Sequence, residues 1–122
     1  MGKGYRQGRI GEEIRKIISD MLLRGLKDPR LDTMISITAV EVTNDNSYAT
    51  VFFSKLDISS DPETAQEQKQ ELIDAFASAK GFIRNEIAKK MKLRHVPELI
   101  FKYDTSLEYG RHIEEIISTL DK

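Results

Sequence analysis

The chain has 122 residues, no cysteine, and 19 basic against 20 acidic side chains. It is long enough to close one core without a disulfide or metal staple, which excludes thiol chemistry and disulfide frameworks. No run approaches the roughly 20 apolar residues of a membrane span and no signal peptide opens the chain, so a single cytoplasmic domain over 1–122 is expected.

Residues 1–8 carry three glycines among polar neighbours and are expected to be flexible. From Arg9 onward, Ile10, Ile14, Ile17, Ile18 and Met21 recur at helical spacing, opposite Glu12, Glu13, Lys16 and Asp20, with Glu12 and Lys16 set as an i, i+4 pair. The helix should fade near Gly25 and close at Asp28, Pro29 and Arg30, where Arg30 is expected to pair with Asp28 or Asp32.

Met34 to Thr43 reads as a strand, with Ile35, Ile37 and Ala39 on one face and Val40 and Val42 on the other. The turn formers Thr43, Asn44, Asp45 and Asn46 lead into a second strand, Ser47 to Leu56, completing an antiparallel hairpin. Tyr48, Phe52 and Phe53 are a possible stacking platform for bases, but with only Lys55 interleaved they are expected in the core.

Asp61 before Pro62 and Glu63 signals a capped helix start, and the first turns, to Gln70, are polar all round. Leu72, Phe76 and Ala79 then repeat at helical spacing, and Ile83, Ile87 and Met91 repeat beyond Gly81. A mid-pattern glycine costs about 1 kcal/mol relative to alanine, so Ala79, Lys80 and Gly81 are expected to form a small-residue kink between two helices. Charge changes sign there. Acids dominate from Asp57 to Asp74, whereas Lys80, Arg84, Lys89, Lys90, Lys92 and Arg94 face the single acid Glu86. Arg84, Asn85, Lys89 and Lys92 fall on the face away from the core, while Lys80 and Lys90 flank the apolar strip. A basic helix beside an opened backbone is suited to phosphate; solvated lysines, and an internal ion pair for Arg84, are the structural alternatives. After a break at Leu93 to Pro97, Leu99, Phe101 and Tyr103 alternate as a third strand. Thr105 and Glu108 form a capping box before a last short helix bearing Ile113, Ile116, Ile117 and Leu120.

Enzyme chemistry finds no support. His95 and His112 lie in different elements with no metal-spaced companions, Thr105 and Ser106 are explained by capping, and there is no phosphate loop of the Walker type, so neither metal nor cofactor is expected.

The order helix, strand, strand, helix, kink, helix, strand resembles the α+β type II KH-like arrangement, with Ala79, Lys80 and Gly81 in place of the usual GXXG loop. Across nearly the whole chain, the residues in that order resemble the ribosome-binding factor A family: Arg6 and Arg9; Asp28, Pro29 and Arg30; Ile37, Thr38, Val40, Val42, Asp45 and Ala49; Ala79 to Arg84; Leu93, Arg94, Pro97, Glu98, Leu99 and Phe101; Asp104, Ser106, Glu108 and Gly110. The resemblance implies a non-catalytic assembly factor that binds the free small ribosomal subunit and its RNA. It would assist late maturation and 5′-end processing and favour growth in the cold. Arg6, Arg9, Lys80, Arg84, Lys89, Lys92 and Arg94 are the expected RNA contacts of a monomer. The alternative is a protein-interaction module of KH-like fold that touches no RNA.

Overall fold

The computed structural model describes the backbone of residues 2–106 and the side chains of residues 8–106. The elements run α1 (Gly2–Arg24), β1 (Ile35–Val42), β2 (Tyr48–Lys55), α2 (Pro62–Met91) and β3 (Glu98–Tyr103). They make an α+β fold: two helices on a three-stranded sheet of order β1-β2-β3, with β1 antiparallel and β3 parallel to β2. The expected last helix falls outside the described residues.

Helix α1 starts at Gly2, ahead of the expected start at Arg9. Its apolar stripe is buried as the periodicity requires, with Ile14, Ile17, Ile18 and Met21 facing the sheet. Glu12 pairs with Arg15 rather than Lys16, since i, i+3 neighbours meet as readily as i, i+4. Gly11 lies where α1 comes closest to the sheet: a Cβ there would stand 2.5 Å from the Val40 carbonyl oxygen. Only a residue without a side chain fits between that helix and strand. Beyond the helix, Arg30 reaches Asp28 Oδ2 at 2.6 Å, one of the two expected pairings.

Strand β1 departs from simple alternation. The register with β2 shifts between Ile37 and Ala39, so Thr38 is an extra residue, a β-bulge. The shift reverses which face the later residues occupy. Val40 and Val42 therefore follow Ile35 and Ile37 toward the core, opposite Val51 and Ala49, and Ala39 turns to the other face beside Phe52. The Thr38 hydroxyl donates to Asp104 Oδ2 at 2.5 Å, tying the bulge to the end of β3. In the hairpin turn Asn46 adopts φ 60°, which asparagine tolerates better than most residues.

On β2, Phe53 is fully buried, packed against Phe76 and Tyr103. Tyr48 and Phe52 do not share that core position. Tyr48 is half exposed and Phe52 partly exposed, because their alternation places them on the sheet face away from the helices.

The largest correction concerns α2. Where two helices were expected to meet at Ala79, Lys80 and Gly81, one 30-residue helix runs unbroken from Pro62 to Met91. Ala79 and Lys80 are strong helix formers, and one glycine's penalty of about 1 kcal/mol is small against the burial of Leu72, Ala75 and Phe76 before it and Ile83 and Ile87 after it. The start matches its signals: Asp61 accepts from the Thr64 amide at 3.0 Å and Pro62 occupies the first turn. The end is made by Lys92 in the left-handed conformation, its amide donating to Ala88 O.

Candidate nucleic-acid interface

An unbroken α2 turns the alternation of charge along the sequence into a gradient along one rod. Glu63, Glu67, Glu71 and Asp74 occupy the first half, and Lys80, Arg84, Lys89 and Lys90 the second. Both halves complement the helix dipole, which by itself accounts for some of the charge at each end.

The basic half borders an open groove of about 420 Å³, lined by Gly81, Arg84, Asn85, Ala88, Arg94, His95 and Val96. Its helical side consists of positions i, i+3, i+4 and i+7, one continuous stripe, and its other wall is the segment leading into β3. Gly81 forms part of the floor. A Cβ at Gly81 would meet nothing within 4 Å, so no contact inside the fold calls for glycine there.

The expected contact residues separate into groups. Lys80 and Arg84 are tied to the segment around the start of β3. Lys80 Nζ lies 2.8 Å from Glu98 Oε1, Arg84 lies 3.6 Å from Glu98 Oε2, and Arg84 Nη2 donates to Val96 O at 3.2 Å. The hydrogen bond from Lys80, reinforced by its charge and by that of Arg84, holds the Glu98 carboxyl below the usual glutamate range. Arg84 thus takes the structural role left open by its position, although it still lines the groove. The pairing of Glu98 went unrecognised because its partner Lys80 lies 18 residues earlier, on α2, and no local spacing announces such a pair.

Lys89, Lys92 and Arg94 form the second group. All three are exposed, and among the described residues none has an ion-pair partner. Lys90 bonds instead toward α1, 3.6 Å from Asp20 Oδ2, which Arg24 also reaches at 3.0 Å. Arg9 is exposed on α1 and is not among the residues that line the groove. The Arg6 side chain lies outside the described residues. His95 and Val96, absent from the expected set, are brought in by the loop after Lys92.

Among the described residues, no three histidine, aspartate or glutamate side chains gather as metal ligands, and no helix is long and apolar enough to cross a membrane.

Known proteins sharing this arrangement agree on one family. The sequence model of ribosome-binding factor A matches residues 6–117. Ribosome-binding factor A of Caldanaerobacter subterraneus subsp. tengcongensis is 44% identical over 118 residues, covering 97% of this chain and 91% of that protein. The solution structure of a candidate ribosome binding factor A from Thermotoga maritima superposes with a TM-score of 0.67 at 34% identity, over 84% of this chain and 90% of that one. A Thermus thermophilus ribosome binding factor A homology model, fitted into a cryo-electron-microscopy map of a 30S complex, shares the fold with a TM-score of 0.58 at 16% identity, over 78% and 91%. The α+β architecture is accordingly the KH-like fold of these structures, and the chain belongs to the ribosome-binding factor A family.

Proposed function

We propose that this chain is a cytoplasmic, monomeric assembly factor that binds the free small ribosomal subunit through its RNA. In this reading it assists late maturation and 5′-end processing, including in the cold, by positioning RNA and without breaking bonds. The observation that carries the proposal is the groove beside Gly81, with Arg94 in its wall and, at the same end of α2, the ammonium groups of Lys89 and Lys92, which have no ion-pair partner among the described residues. Those cations are in the fold without being consumed by it, as a phosphate-binding surface requires. The Thermus thermophilus relative placed in a 30S complex supports the choice of subunit.

Sedimentation of the purified protein with small subunits, large subunits and joined ribosomes over a salt series tests it. The protein should travel with free small subunits alone and be released as salt rises, with a slope of roughly −0.7 to −0.9 per phosphate. The double substitution Lys89→Glu, Lys92→Glu should weaken association and flatten that slope by about one phosphate for each contact removed. Association that ignores both salt and the substitutions would identify a protein interface instead.

A further inference from the structure

We propose that Phe82 stacks on an unpaired base, so that the basic end of α2 takes single-stranded rather than duplex RNA; this rests on the RNA-binding reading above. Phe82 is 56% exposed although it sits near the middle of the longest helix. The core-facing line of that helix is occupied by Leu72, Phe76, Ile83 and Ile87, and Phe82 lies off it. Burial among the described residues therefore does not explain it. Helix propensity does not either, since phenylalanine is a poorer helix former than the lysine, glutamate or alanine around it.

Position supplies the explanation. At about 100° per residue, Phe82 shares a line with Ser78, Asn85 and Lys89, just over a quarter-turn from Gly81. Asn85 lines the groove, and Lys89 follows two turns along the helix, about 10 Å away. Glu86, the one acid of this half, projects on the side of Phe82 away from the groove. The exposed ring thus lies on the helix face next to the groove's stripe, on the side of Asn85 and Lys89, an aromatic beside a positively charged track. The other exposed large apolar residues among those described, Leu23, Met34, Tyr48, Leu56 and Ile100, belong to α1, the sheet or the loops bordering it, and none shares the helix that carries these cations.

That pairing of ring and cations selects a form of RNA. In an A-form duplex the base faces are stacked on one another and unavailable to a side chain, whereas a single strand can offer both a phosphate and an open base face. On this geometry Lys89, Lys92 and Arg94 hold phosphates and Phe82 holds the adjacent base.

Fluorescence anisotropy with a short, non-self-complementary RNA, alone and annealed to its complement, tests the proposal. Wild-type protein should bind the single strand more tightly than the duplex. Phe82→Ala should lose about tenfold on the single strand with little change on the duplex, and should keep the salt slope because the phosphate contacts remain. Phe82→Tyr should restore binding, and thermal melts should place both variants with the wild type, since the position is exposed. Equal affinity of the wild type for both RNA forms, an unchanged Phe82→Ala, or an equal loss on both forms overturns the stacking role while leaving salt-dependent RNA binding in place. A wild type without salt-dependent RNA binding removes that underlying reading and the stacking proposal with it.

Discussion

Gly11 shows how one position can decide how a helix sits. Helix α1 comes close enough to the Val40 carbonyl that a methyl group at Gly11 would stand 2.5 Å from its oxygen, and the obstacle is backbone in a paired strand, which cannot swing aside. Gly11→Ala adds about 1 kcal/mol of helix propensity yet forces the helix off the sheet, and overpacking of this kind costs about 1–3 kcal/mol. The net result should be a lower urea midpoint with an unchanged slope; an equal or higher midpoint would show that the contact yields. Nothing near Gly11 in sequence announces this, because the contact lies with a strand some thirty residues later. The ion pair of Arg30 with Asp28 was legible for the opposite reason: two residues of separation bring the groups together whatever the rest of the chain does.

The elements differ in how much of them local chemistry determines. The start of α2 was readable from Asp61 and Pro62, because a cap satisfies amides within the next turn. Its unbroken course was not, because glycine's penalty is local whereas the burial that outweighs it comes from the sheet. Strand β1 carries the same lesson: strict alternation put Ala39 on one face with Ile35 and Ile37, and the bulge at Thr38 puts Val40 and Val42 there instead. Half of the groove was legible as the basic face of a helix, while the wall of Arg94, His95 and Val96 depends on where the chain turns after Lys92. Gly81 provides a test at this scale. Since a Cβ there meets open space, Gly81→Ala should stabilise the protein by about 0.5–1 kcal/mol in denaturant melts. The same change should weaken association with small subunits, because the methyl group projects into the groove. Gains in both stability and binding would remove Gly81 from the interface.

For the molecule as a whole, the acids among the described residues whose titration is displaced all move in one direction. Glu12, Asp28, Asp45, Asp61, Glu98 and Asp104 all have carboxyls held below their ordinary values, Glu12 by Arg15, Asp28 by Arg30, Asp45 and Asp61 by local hydroxyl and amide donors, and Glu98 by Lys80. For Asp104 the hydroxyls of Ser106 and Thr38 and the Ser106 amide do so, and that carboxylate joins β3 to the bulge of β1. As pH falls the unfolded chain takes up protons first, near pH 4, so the stability these groups supply is complete above that range and drains away as pH drops through their lower native values. Melting temperature should therefore hold between about pH 5 and 7 and fall below about pH 4, and Asp104→Asn should shrink the acid-dependent part. A melting temperature flat down to pH 2 would count against this linkage. The single course of α2 has a mechanical consequence. Thirty residues at 1.5 Å each make a strut about 45 Å long, the width of a small domain or more, with an acidic foot and a basic head. A break at its middle would let two bodies, one at each end, move independently; a continuous helix would hold them at one separation, so under the proposed function the protein would serve as a spacer as well as an adhesive.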